Sequence, residues 1–229
     1  MTIEGLQKLT LLDFPGRTAC TVFLAGCNFR CPFCHNFDLV AQPSAPLMGE
    51  EELLSFLEKR KGMLDGVAIT GGEPLMRREL PDLLRKIKAL GYPVKLDTNG
   101  SFPARLKELV AEGLVDYVAM DIKNSPERYG ETVGFPKLGL APTRESVEFL
   151  LSGAVDYEFR TTVVQELHRP EDMKAIAEWL KGAKRYYLQQ FKQSAQVPDE
   201  GLSAPSYQTM QDYLKIVQEW IPAAEVRGI

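Results

Sequence analysis

Histidine is nearly missing from this chain: His35 and His168 are the two among 229 residues. So little imidazole leaves scant material for a histidine-based acid–base dyad, and no catalytic side chain of that kind is expected. A surplus of positive charge is missing as well. The 27 Lys and Arg stand against 31 Asp and Glu, a formal net charge of -4, which gives no electrostatic footprint for duplex nucleic acid or an anionic membrane. Long apolar runs are absent: no segment approaches the roughly eighteen residues that a spanning helix needs, and the opening "MTIEGLQKLTLLDFPGR" lacks a basic stretch followed by an apolar one. The expectation is a cytoplasmic protein that engages neither nucleic acid nor membrane. Cysteine is scarce too, four in total, yet Cys27, Cys31 and Cys34 crowd into "CNFRCPFCHN". In a reducing compartment, clustered thiols more often hold metal or do chemistry than form disulfides.

What is present reads as an ordinary globular protein, with 45% hydrophobic and 25% charged residues. Six β-rich runs, at 20–26, 66–70, 93–98, 115–122, 157–164 and 185–191, alternate with amphipathic stretches at 49–62, 77–91, 102–113, 143–153 and 169–182, and a last helical stretch covers 206–221. Such alternation predicts an α/β fold with a parallel sheet wound by right-handed crossovers. Six units of this size fit an open doubly wound sheet or an incomplete barrel, and the pattern alone leaves both open. No composition break marks a boundary, so residues 1–229 are expected to form a single domain with short terminal extensions; the Pro-bearing stretches "AQPSAPLMG" and "QSAQVPDEGLSAPS" read as surface loops.

The unusual residues fall at strand ends. The cysteine loop follows the first run, "GGEP" (71–74) the second, "DTNG" (97–100) ends the third, "DIK" (121–123) the fourth and "QQFK" (189–192) the sixth. In parallel α/β folds ligands bind at the carboxyl ends of the strands, so these stretches are expected on one rim. A Cys-x-x-x-Cys-x-x-Cys loop can supply three corners of a cubane iron–sulfur cluster, leaving one iron open to a substrate or cofactor. Zinc is the rival, with Cys20 or His35 as fourth ligand.

The loop resembles the signature of the radical S-adenosylmethionine (radical SAM) superfamily, including an aromatic residue, Phe33, before the last cysteine. "GGEP" resembles that superfamily's second motif. The stretch "LLDFPGRTACTVFLAGCNFRCPFCHN", with "LDTNG", "DIK", "SPERYGETVG" and "LQQFK", is similar to the glycyl radical activating enzymes, and within them to the activating proteins of anaerobic ribonucleoside-triphosphate reductase. The resemblance implies an incomplete (β/α)6 TIM-like barrel, one 4Fe–4S cluster on Cys27, Cys31 and Cys34, and S-adenosylmethionine chelated at the open iron. Reductive cleavage would yield a 5'-deoxyadenosyl radical that takes a hydrogen from a glycine of a partner enzyme. Gly71, Gly72 and Glu73 would face the methionyl amino group and Phe33 the adenine edge. Asp97, Thr98 and Asp121 match positions that hold a monovalent cation in pyruvate formate-lyase activase, with Asn99 in the same stretch. Lys123 would neutralise the cofactor carboxylate or engage the ribose, and Arg160 would project toward the same rim. Lys192 stands where that activase has a histidine, and Gln190 would share the contact. Larger activases insert a domain with eight further cysteines that this chain lacks, so electrons would come from an external flavodoxin or ferredoxin. The resemblance also admits other acceptors, either a different glycyl radical enzyme or a small molecule, as in the 7-carboxy-7-deazaguanine synthases.

Taken singly, several of these features have plainer readings. "GGEP" and "DTNG" are common turns, and Asp121 with Lys123 can be a solvated pair at a strand end. Cys20 is expected to pack as a small hydrophobe. His35 is counted in the cofactor shell through hydrogen bonding within its loop, not as a ligand, and His168 is expected at the surface.

Overall fold

The structure, a computed structural model, describes residues 1–41 and 45–228. The loop expected at 41–49 therefore lies partly outside the described residues. In chain order the described elements are β1 (Thr2–Ile3), β2 (Gly5–Thr10), β3 (Ala19–Leu24), α1 (Phe37–Ala41), β4 (Met48–Gly49), α2 (Glu50–Lys59), β5 (Gly66–Gly71), a short 3-10 turn (Pro74–Met76), α3 (Leu80–Ala89), β6 (Val94–Thr98), α4 (Pro103–Ala111), β7 (Tyr117–Asp121), α5 (Tyr129–Thr132), α6 (Ala141–Leu151), β8 (Asp156–Val163), α7 (Pro170–Trp179), β9 (Tyr186–Gln190), α8 (Tyr207–Gln218) and β10 (Ala224–Arg227). The main sheet has the order β10-β9-β8-β7-β6-β5-β3-β2, and β1 pairs with β4 in a separate ribbon. All six expected strands and six helices are present, displaced by at most a few residues at their ends. The fold is the anticipated α/β arrangement around a mostly parallel sheet.

Four strands were not anticipated: the two-residue β1 and β4, which pair with each other, and the two edges of the main sheet. The edge strand β2 runs antiparallel to β3, pairing Gly5 with Phe23 and Leu6 with Val22, and β10 extends the other edge in parallel with β9. Sequence periodicity misses both edges for the same reason. Edge strands bury little, as the half-exposed pattern along "GLQKLT" shows, so no clean alternation is imposed on them.

The chain forms two compact units. The first comprises Met1–Asn28, Asn36–Thr98 and Phe102–Val118; the second comprises Phe29–His35, Asn99–Ser101 and Ala119–Ile229. Within the first, β3, β5 and β6 lie in parallel register, with Cys20 beside Val67 and Val67 beside Val94, and with Thr21 beside Ala68 and Ala68 beside Lys95. Paired residues share a face of the sheet. One face is thus Cys20, Val22, Leu24, Val67, Ile69, Val94 and Leu96, all fully buried. The other carries Ala19, Thr21, Phe23, Ala68, Thr70, Lys95 and Asp97 and holds the polar side chains of these strands.

The second unit repeats the division. Tyr157, Phe159, Val163, Tyr186 and Leu188 supply buried apolar side chains. Arg160 pairs with Tyr187, and Thr162 with Gln189, on the polar face. There the carboxylate of Glu158 accepts two hydrogen bonds from Arg227 of β10, at 3.1 and 3.2 Å, and the Arg227 guanidinium lies over the Tyr187 ring. A sheet with one apolar and one polar face suits helices on the first and chemistry on the second.

Helix starts are set locally. In α2 the Glu52 carboxylate reaches back to the Gly49 amide at 2.8 Å, and in α7 Asp172 does the same for the Arg169 amide at 3.0 Å, each satisfying a donor that no helical carbonyl can reach.

Candidate functional site

In the first unit, the exit of β3 and the exit of β5 are stitched together. The Gly72 amide donates to the Leu24 carbonyl and the Glu73 amide to the Gly26 carbonyl, both at 2.8 Å. The approach is so close that side chains are excluded. A Cβ on Gly71 would stand 2.2 Å from the Leu24 carbonyl oxygen, and one on Gly72 would stand 2.0 Å from that of Gly26 and 3.3 Å from Cys27 Cβ. Gly71 also has φ +119, a backbone conformation that favours glycine. The "GG" pair is therefore the seat on which the backbone before Cys27 rests. Asn36 closes the other side by donating to the Gly71 carbonyl at 3.1 Å.

Glu73 is 1% exposed. Its Oε1 accepts from the Leu75 amide at 3.0 Å and from the Thr98 hydroxyl at 2.9 Å, so the third residue of the motif ties the turn to the end of β6. At that end Asp97 is ion-paired with Lys95. Cys20, the cysteine outside the cluster motif, is fully buried on β3. Desolvation pushes its thiol up to about 12, against a weaker opposing backbone hydrogen bond. It stays protonated and inert near neutral pH, as expected of a packing residue.

In the second unit, Cys31 and Cys34 share a turn closed by the Cys34 amide donating to the Cys31 carbonyl at 3.2 Å. That turn rests on residues 128–134. The Arg30 amide donates to the Val133 carbonyl at 2.9 Å, the Phe29 ring meets Tyr129 edge-on at 6.4 Å, and a Cβ on Gly134 would collide with the Arg30 carbonyl. "RYGETVG" thus serves as a platform for the cysteine turn. Phe33 is buried within it. His35 is a loop clasp: its Nε2 lies 2.7 Å from the Lys192 carbonyl, and its ring packs on Phe191. Lys192 therefore meets the loop through its main chain, and the Gln190 amide donates to the Pro205 carbonyl. Asn99 caps its own turn, its Oδ1 accepting from the Ser101 amide at 2.9 Å.

Asp121, at the end of β7, is held between two cations, Arg160 Nε at 2.9 Å and Lys123 Nζ at 3.0 Å. Burial works against the carboxylate, yet the charges of Arg160 and Lys123 outweigh it and bring Asp121 down to about 2. Lys123 is likewise desolvated, but Asp121 and the nearby Cys31 hold it well above the ordinary lysine range. His168 corrects the surface expectation. It is 2% exposed. Its Nδ1 accepts from the Val164 amide at 3.0 Å, which leaves the Nε2 proton to donate to the Lys123 carbonyl at 3.0 Å, and Tyr213 donates to its carbonyl. With every polar atom of the ring engaged, burial lowers its pKa and the imidazole stays neutral, anchoring the backbone of Lys123.

Cys27, Gly71, Gly72, Glu73, Asp97 and Thr98 therefore belong to the first unit, and the remaining expected site residues to the second. Among the described residues no trio of His, Cys, Asp or Glu side chains is gathered as ready-made ligands of an ion. None of the four cysteines is in a disulfide. Two residues with clear structural roles, Asn36 and Lys95, were given none from the sequence, and His168 was expected at the surface. Lys95 left one signal, a charged residue between the apolar Val94 and Leu96, two positions before Asp97.

A profile described as "Radical SAM superfamily" matches residues 21–180. A Methanocaldococcus jannaschii protein, assigned by inference as a glycyl-radical enzyme activating enzyme, is 30% identical over 235 residues, covering 99% of this chain and 96% of its own. The pyruvate formate-lyase-activating enzyme of Clostridium pasteurianum is 33% identical over 64% of this chain and 63% of its own. The 7-carboxy-7-deazaguanine synthase of Aquifex aeolicus is 33% identical over 71% and 67%. Among solved structures, a domain of pyruvate-formate lyase-activating enzyme from Bacteroides vulgatus superposes with a TM-score of 0.57 at 17% identity, over 71% of this chain and 99% of that one. SuiB of Streptococcus suis gives 0.70 at 13%, over 91% and 48%. These two likenesses speak to the fold. By the profile and by a relative aligned along nearly the whole chain, the protein belongs to the radical SAM superfamily, an enzyme family that implies a 4Fe–4S cluster and S-adenosylmethionine, and is homologous to glycyl-radical enzyme activating enzymes.

Proposed function

We propose that the protein is a cytoplasmic activase that installs a glycyl radical on a separate, larger enzyme, and that the partner is the anaerobic ribonucleoside-triphosphate reductase. Cys27, Cys31 and Cys34 are assigned as the cluster ligands. The observation that carries this assignment is the seat at Gly72, which leaves no room for a side chain beside Cys27, together with three cysteines outside any disulfide at iron–sulfur spacing. Cys20, held protonated in the core, is unsuited to ligation. When bound, the cluster would supply the electron that cleaves S-adenosylmethionine, drawn from an external flavodoxin or ferredoxin.

The chain's own residues bind and orient. The Gly71–Glu73 turn offers backbone polar groups to an ammonium. Lys123, with Arg160 beside it, is assigned to the cofactor's carboxylate or ribose; Asp97, Thr98 and Asp121, with Asn99, occupy the positions beside that carboxylate that match the cation site of pyruvate formate-lyase activase; and Phe33, His35, Gln190 and Lys192 complete the shell around the cysteine turn. Lys123 suits this role, since its ammonium is kept charged by Asp121 and its backbone is fixed by His168. Anaerobic reconstitution, followed by incubation with reductant, S-adenosylmethionine and the reductase, is expected to give a glycyl electron paramagnetic resonance signal. Full cofactor cleavage without that signal would overturn the partner assignment. The similarity to a 7-carboxy-7-deazaguanine synthase supports a second reading, in which the hydrogen is taken from a small molecule; deoxyadenosine release that depends on such a substrate and not on the reductase would establish it.

A further inference from the structure

Lys95 is the second residue of β6 and is 1% exposed. A lysine in that position is costly unless its charge is compensated. The compensation is Asp97, two residues further along the strand and therefore on the same face. Room for the lysine stem comes from its register partner on β5, Ala68, whose methyl group leaves the polar face open. The sequence "KLD" thus places an ammonium beside the carboxylate to which a monovalent cation would be assigned by resemblance. The second unit treats its own carboxylate alike, since Asp121 carries Arg160 and Lys123. A metal cation brought to either carboxylate would meet a fixed positive charge already there, and like charges a few ångströms apart repel.

We propose that the ammonium of Lys95 is the resident counter-ion of Asp97, doing covalently what an exchangeable sodium or potassium ion would do, and that this enzyme binds and cleaves its cofactor without such an ion. The consequence for the cofactor rests on the activase reading; the occupancy of the carboxylate does not.

The test uses the reconstituted full-length protein, exchanged into choline chloride and titrated with NaCl or KCl at constant ionic strength. For the native chain, sodium-23 resonance should show no saturable broadening, the melting temperature should not respond, and affinity for S-adenosylmethionine should change by less than about twofold. Lys95→Met should weaken that affinity and recover about tenfold on adding either ion, with a melting temperature raised by about 3 °C, as expected for a ligand that binds the folded state alone. The double variant Lys95→Met, Asp97→Asn should lose the response. Saturable sodium broadening in the native chain, or a native affinity that depends on potassium by more than about threefold, would overturn the proposal; this arm needs no variant to fold. A protein that binds no S-adenosylmethionine in any salt would sink the activase reading while the sodium measurement still decides the role of Lys95.

Discussion

Replacing Gly72 by alanine tests the seat beneath Cys27 directly. The new methyl carbon would lie 2.0 Å from the Gly26 carbonyl oxygen, about 1.4 Å inside the 3.4 Å at which ordinary contact begins. Neither side yields easily. The Gly26 carbonyl accepts the Glu73 amide, and the Gly72 amide is tied to Leu24. Relief therefore means surrendering at least one of these hydrogen bonds, about 1 kcal/mol, and displacing tightly packed backbone, about 1–3 kcal/mol. The sum, about 2–4 kcal/mol, corresponds to a fall in melting temperature of about 5–15 °C for a chain of this size. Circular dichroism reads the melting, and iron per chain after anaerobic reconstitution reads the effect on Cys27. Gly139→Ala is the control, because a Cβ there meets nothing within 4 Å. A Gly72→Ala protein that melts within about 1 °C of the native chain and takes up the same iron would refute the idea that this glycine holds the first cysteine in place.

Two further predictions concern the thiols and the charged cluster of the second unit. Cys34→Ala should abolish iron uptake and cofactor cleavage whereas Cys20→Ala should leave them largely intact and cost only stability. In the folded apo-protein at pH 8, alkylation should spare Cys20, whose thiolate fraction is about one in ten thousand for a pKa of about 12; equal modification of all four cysteines by mass spectrometry would contradict this. Asp121, with a folded-state pKa of about 2 against an ordinary 3.8, contributes stability that is present above pH 4 and lost as the pH falls through 2, on the order of 2 kcal/mol. Arg160→Gln removes one of its cations and raises the folded-state pKa, so in urea titrations the acid loss of stability should be smaller and end at a higher pH, and an unchanged acid limb would show that Lys123 suffices alone.

The parallel sheet was legible because each of its strands is a short β-branched or aromatic run bounded by turn residues. The edges were not: β2 and β10 bury too little to impose a pattern. The cysteine triplet and "GGEP" stood out as residue types, but what they do to each other depends on pairings from Leu24 to Gly72 that no local window contains. Lys95 read as an ordinary polar position in a strand, and its burial follows from the small Ala68 opposite. His168 shows the limit most clearly. Its neighbours in sequence are charged and turn-like, whereas its ring is fixed by Val164 and Lys123 and its carbonyl by Tyr213. Chain-distant partners of that kind are set by topology, which periodicity does not encode.

The turn bearing Cys31 and Cys34 owes its shape to protein contacts, since the Val133 carbonyl, the Tyr129 ring and the Lys192 carbonyl pin it through Arg30, Phe29 and His35. Small zinc-dependent domains, by contrast, collapse when stripped of metal. A turn held in this way by the chain itself is expected to keep its shape with no metal on it, so that loading it would require iron, sulfide and reducing equivalents rather than refolding of residues 29–35.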